Sequence, residues 1–212
     1  MNSLKDPKIC QQLATLHALA EDDEGRWVER RQAQQAGDKS ADEDSLIRLG
    51  DFYIPVSPSE GELLYMLARA SKAQRIVEFG ASYGISTLYL AAAARDNGGQ
   101  LITTEIHPKK CAALRESFKV AGIDTEVTLL EGDAQQTLQS VSGPIDLLFL
   151  DGWKSLYLPI YNQMSSSLTT GSLIAADNIT FAETKPYLDA VQAPNSGLIT
   201  QLIGDMALSC VV

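Results

Sequence analysis

Apolar residues in the first part of the chain fall at helical spacing. Ile9, Leu13, Leu16 and Ala20 recur every three or four positions, which predicts one or two amphipathic helices between about residues 8 and 36. The run Glu21-Asp22-Asp23-Glu24 reads as a solvated face of that segment, and the polar stretch 37–44 as a loop. From residue 57 the pattern changes. Ser57-Pro58-Ser59-Glu60 combines a capping hydroxyl, a proline suited to a first turn and an early acid, so a helix is expected to about Ala70. Short apolar runs then alternate with helical stretches. Strands are expected over 75–79, 101–105, 126–131, 145–151 and 172–177, and helices over 84–95, from Pro108, and over 134–141. Two strand-like runs, 198–203 and 206–212, end the sequence.

Strands separated by helices require right-handed crossovers, which predicts an α/β, doubly wound, seven-stranded and mostly parallel sheet. Only Gly204-Asp205 separates the last two runs, too tight for a parallel crossover, so the final strand is expected to run antiparallel. With 212 residues, 45% of them hydrophobic, and no Pro/Gly/Ser-rich linker, the chain reads as a single domain. Residues 1–50 form a helical extension of it and 51–212 its core.

The formal charge of −10 disfavours a nucleic-acid backbone or an anionic membrane as partner and leaves a small molecule or another protein. No apolar run approaches the ~20 residues of a membrane helix, and Met1-Asn2-Ser3-Leu4-Lys5-Asp6 carries no apolar signal core. Cys10, Cys111 and Cys210 are widely spaced and suit a reducing compartment, so a soluble, cytoplasmic protein is expected.

Candidate chemistry gathers at predicted strand ends, the rim where ligands sit in such sheets. After the first strand comes Glu78-Phe79-Gly80-Ala81-Ser82-Tyr83-Gly84, whose glycines permit a tight turn and close backbone approach. Ser82 stands where a dinucleotide fingerprint has its middle glycine, which favours a smaller, zwitterionic ligand over a pyrophosphate. Glu105 ends the second strand and is placed to accept from ribose hydroxyls, or to sit at the N-terminus of the helix begun by Pro108. Asp133, after the third strand, suits an adenine amino group, a helix cap, or both. The fourth strand ends in Asp151-Gly152-Trp153-Lys154 and the fifth in Asp177-Asn178. Asp, Asp and Asn offer hard oxygen ligands for Mg²⁺ or Ca²⁺, and a nearby lysine can carry a proton. Taken singly, the aspartates also suit loop caps and Lys154 a surface position. His17, His107, Tyr157 and Tyr161 read as helix-face, turn and packing residues.

These signals, closed by a terminal hairpin, resemble the class I S-adenosylmethionine-dependent methyltransferases. Asp151-Gly152-Trp153-Lys154 followed by Asp177-Asn178 is similar to the metal-dependent catechol and caffeoyl-CoA O-methyltransferase family, over roughly residues 50–212. The resemblance implies Asp151, Asp177 and Asn178 as ligands of Mg²⁺, Ca²⁺ or Mn²⁺, and Lys154 as general base with Asp151 beside it. It places Glu105 at the ribose, Asp133 and Trp153 at the adenine, and Gly80, Ser82 and Ser86 at the methionine end. Val56, Glu78, Ile106, Gly132, Ala134 and Asp151 complete the implied cofactor contacts.

The expected reaction is methylation of a small catechol-like phenol. Gly152, where relatives often carry a bulkier residue, is expected to leave a roomier or more flexible metal rim. The short 179–196 segment leaves little room for a substrate-specifying insertion, so closure is expected from the N-terminal helices, the 37–56 loop or a partner subunit. A homodimer is implied, although the N-terminal apolar stripe suits an interface and the chain's own core equally. Three rivals stand beside this reading. They are a metal-independent methyltransferase, a nicotinamide-dependent oxidoreductase, which Ser82 and the terminal hairpin disfavour, and a non-catalytic module using its N-terminal helices.

Overall fold

The computed structural model describes residues 2–23, 25, 26, 28, 29, 32, 50 and 52–212. The expected 37–44 loop and most of the expected helical stretch beyond residue 23 lie outside the described residues. Seven strands form one sheet: β1 (Arg75–Phe79), β2 (Gln100–Glu105), β3 (Val127–Glu131), β4 (Ile145–Leu150), β5 (Leu168–Ala176), β6 (Leu198–Ile203) and β7 (Met206–Val211). Their order is β3-β2-β1-β4-β5-β7-β6. Neighbouring pairs from β3 to β5 are parallel, and β7 is antiparallel to both β5 and β6. The doubly wound sheet and the reversed last strand therefore stand as expected. β5 begins at Leu168 instead of Ser172, because Ile145 pairs with Leu168 beyond a register shift that Thr169-Thr170-Gly171 disguises as a turn in the sequence.

Alternation along β1 and β4 explains why both faces are covered. Ile76, Leu147 and Phe149 face one apolar cluster with α1 (Pro7–Asp22), α2 (Pro58–Ala70), α3 (Ile85–Asn97) and α4 (Pro108–Ala121). Val77, Leu148 and Leu150 face a second, with α5 (Ala134–Thr137), α6 (Tyr157–Met164) and α7 (Lys185–Val191). The sequence expectation of a helix through Val141 resolves into α5 and a 3-10 turn over Leu138–Ser140. α2 starts as the sequence predicts, with a capping box in which Ser57 and Glu60 bond each other's backbone N–H. The stripe Ile9, Leu13, Leu16 and Ala20 is buried against α3 and α4, the self-packing alternative. Asp23 departs from the solvated reading of its acidic run. It is 7% exposed and accepts from Arg26 and from the Tyr53 N–H.

Chain order reverses between β1 and β4, and the strand ends there are laced together. Asp151 N donates to Phe79 O, Asp177 N to Leu150 O, Ala81 N to Thr104 O and Gly132 N to Glu105 O. The loops that follow β1, β2, β3, β4 and β5 are thereby fixed on one rim, at the switch point where such sheets take ligands.

Candidate active site

A cavity of about 610 Å³ opens on this rim. From the β1 turn it takes Gly80, Ala81, Ser82 and Ser86, and from the end of β2 Thr104, Glu105, Ile106 and His107. Gly132, Asp133 and Ala134 follow β3, Asp151 to Leu156 follow β4, and Asn178, Phe181 and Glu183 follow β5. Most cofactor positions expected from the sequence thus converge. Val56, Glu78 and Asp177 are set back from the wall. Val56 is packed in the core, and Asp177 is 4% exposed beneath Asn178. Glu78 is wholly buried, its carboxylate accepting from Ser86, Thr87 and Thr103, each at 2.6 Å. Its place is to hold β1, β2 and α3 in register beneath the turn.

Ser82 has a left-handed backbone (φ 49°). Its N–H donates to Glu105 Oε2 at 2.9 Å, while Ile106 N and His107 N donate to Oε1. Three backbone donors orient the Glu105 carboxylate; Oε1 accepts two of them, and Oε2, which accepts one, keeps lone-pair capacity for a ribose hydroxyl. Asp133 Oδ1 caps α5 through Gln135 N and also faces the cavity, so both of its expected roles are geometrically open. His107 caps α4 through Nδ1, as a turn residue.

At the other end Lys154 Nζ lies 3.0 Å from Asp151 Oδ1 and 2.9 Å from the Tyr157 hydroxyl, which itself donates to Asp177 O. Tyr157 is therefore more than packing: it fixes the lysine and ties it to the end of β5. Burial pushes the Asp151 carboxyl up to about 7, with the Lys154 charge opposing and the Asp177 charge adding to the rise. Asp177 is also raised, by burial first, against the Asn178 N–H, with Glu60 and Asp205 adding negative charge. Asn178 has φ 55°, and this left-handed turn brings the residue to the cavity wall.

The donor set fits a hard divalent cation. Two buried acids that repel each other share one lysine, and the amide of Asn178 offers a further oxygen. Among the described residues no group of three or more His, Cys, Asp or Glu side chains is arranged for a metal, so such an ion would rest on two carboxylates, the amide and added water. Gly152 does not make the rim roomier. A Cβ there would lie 2.4 Å from the Phe79 ring, so the glycine is needed because the ends of β1 and β4 touch. Lys110, which lines the cavity from α4, is absent from the sequence-based site because a lysine beside Lys109 early in a helix reads as surface.

Sheet order, reversed last strand and a rim of this composition define a class I methyltransferase fold. The chain belongs to the O-methyltransferase family, whose profile matches residues 48–199. A catechol O-methyltransferase of Niastella koreensis is 34% identical over 139 residues, 64% of this chain and 62% of the relative. The chain thus spans less than two thirds of the length of the curated relatives it matches. An O-methyltransferase structure from Klebsiella pneumoniae, assigned that activity only provisionally, superposes with TM-score 0.70 at 27% identity, covering 77% of this chain and 84% of the other. Cofactor-bound Rv0187 from MTB gives the same TM-score and identity over 77% and 85%. No helix among the described residues is long and apolar enough to cross a membrane.

Proposed function

We propose that the protein transfers the methyl group of S-adenosylmethionine to one hydroxyl of a small phenol bearing two adjacent hydroxyls, with a divalent cation, Mg²⁺ before Mn²⁺ or Ca²⁺, at Asp151, Asp177 and Asn178. The observation that carries this reading is Lys154 held between Asp151 and the Tyr157 hydroxyl, at the mouth of a cavity whose far end holds Glu105 and Asp133. Family membership and the catechol-methylating relative support it. The nicotinamide and the non-catalytic rivals both lose their ground with the family.

An unperturbed phenol has a pKa near ~10 and is mostly protonated at neutral pH. A divalent cation held by Asp151, Asp177 and Asn178 would favour the phenolate form of the acceptor. Lys154 Nζ takes the proton from the acceptor hydroxyl, and Tyr157 and Asp151 keep that nitrogen in place. Ile54, Leu156 and Phe181 give the acceptor an apolar wall, and Glu105 fixes the ribose so that sulfur, methyl carbon and acceptor oxygen align. The phenol oxygen bonds to the methyl carbon as the carbon–sulfur bond breaks, leaving S-adenosylhomocysteine.

Calorimetric titration of Mg²⁺ into the S-adenosylhomocysteine-saturated protein tests the metal. One saturable site, lost in Asp177→Ala, is expected. Cofactor binding without a metal site would transfer the reading to the metal-independent methyltransferase, which the existing Lys154–Asp151 pair accommodates. Cytoplasmic location and a homodimer complete the proposal. The dimer is supported by exposed Ile199, Leu202 and Ile203 on edge strand β6, and a monomeric sedimentation profile would remove it.

A further inference from the structure

Lys110 sits in the first turn of α4, is 5% exposed, and still lines the cavity. Its ammonium donates to Ser82 Oγ at 3.0 Å and stands 5.4 Å from the centre of the Tyr83 ring. Among the described residues it forms no salt bridge. Burial pulls its pKa down, while the charges of Glu105 and Asp151 act through space to raise it. A buried ammonium whose direct partners are a neutral hydroxyl and a ring face is an expensive arrangement, and an anion brought in by a ligand would relieve it.

The place of that anion follows from the rim. Glu105, at the end of β2, is where a ribose is held, so the 5′ substituent of the nucleoside runs back toward the β1 turn. Ser82, to which Lys110 donates, belongs to that turn, and the turn is where this class of sheet receives the anionic part of a nucleotide. S-adenosylmethionine has no phosphate. Its single anion is the carboxylate of its amino-acid end.

We propose that Lys110 binds the cofactor's carboxylate while Asp151, across the cavity mouth, attracts the ammonium of the same amino acid, so that Lys110 is a specificity-determining residue for the zwitterionic end. The inference rests on the S-adenosylmethionine reading above. A purely structural Lys110, propping Ser82 in its left-handed conformation, would leave binding indifferent to the ligand's carboxylate.

The test is calorimetry on the full chain with two probes, S-adenosylhomocysteine and its analogue in which hydrogen replaces the carboxylate, against wild type, Lys110→Met and Lys110→Arg. Wild type is expected to favour S-adenosylhomocysteine by about tenfold or more, the scale of one hydrogen bond between charged groups. In Lys110→Met that preference should largely disappear while the analogue binds about as well as to wild type, and Lys110→Arg should keep the preference. Equal wild-type affinity for the two probes overturns the proposal without any variant, as does an unchanged ratio in Lys110→Met. If wild type binds neither probe, the S-adenosylmethionine reading itself fails, and this inference with it.

Discussion

A carboxylate inside a protein must be compensated, and Glu78 shows how far three hydroxyls can go. Ser86, Thr87 and Thr103 donate to it, and Thr104 adds a bond to its backbone carbonyl. Burial nevertheless outweighs them, and its pKa lies above the usual 4.5. The folded state therefore holds this proton to higher pH than the unfolded chain does. Its contribution to stability is complete below about 4.5 and is lost as pH rises through the folded value, by up to ~1.4 kcal/mol per pH unit inside that window. Glu78→Gln should flatten the fall in urea midpoint between pH 5 and pH 8. An equal fall in variant and wild type would mean that Glu78 does not change protonation on unfolding. None of this is visible in the sequence, where Glu78 is the acid before the glycines and reads, by resemblance, as a cofactor contact. The three hydroxyls that hold it are spread over α3 and β2.

At the scale of elements, the rim depends on two chain turns that touch. A Cβ on Gly80, whose φ is 99°, would lie 2.7 Å from Gly152 Cα, and a Cβ on Gly152 would meet the Phe79 ring. Phe79 is 5% exposed and packs edge-on against Tyr157, so its ring has little freedom to retreat. Gly152→Ala is expected to cost about 1–3 kcal/mol, the usual range for overpacking, and to weaken S-adenosylhomocysteine binding because Trp153 and Asp151 move with the turn. Denaturant unfolding beside calorimetry checks both halves, and an unchanged midpoint would show that β1 and β4 separate easily. Strand ends of this kind are legible in the sequence. Apolar runs closed by Glu105, Asp151 and Asp177 announce their own rim, and the two-residue Gly204-Asp205 link announces the reversed strand. What fills the gap between turns is illegible, since Gly80–Gly152 and Ser82–Lys110 contacts join residues that no local pattern relates.

For the molecule as a whole, the cavity is the point where distant segments meet. Residues 50 and 54 approach it from the N-terminal side, and Asn178 and Phe181 from the far side of β4. The N-terminal segment is itself anchored to the core, with Ser3 and Tyr65 donating to Asp96 and Gln12 to Ser117. A ligand spanning Glu105, Lys110 and Asp151 would therefore bridge the ends of β2 and β4 and the first turn of α4, and bind the folded chain alone. At one hundred times its dissociation constant, S-adenosylhomocysteine should add about 2.7 kcal/mol, which for a chain of this size raises the melting temperature by roughly 5–10 °C. NAD at the same concentration should leave it unchanged, because Ser82 replaces the glycine that admits a pyrophosphate. Melting curves with each compound decide the matter. A rise with NAD and none with S-adenosylhomocysteine would mean that the rim, though built from the expected residues, is shaped for a different nucleoside. The stabilisation expected follows from mass action: it is set by ligand concentration relative to the dissociation constant, and it requires that the rim exist in the folded chain and not in the unfolded one.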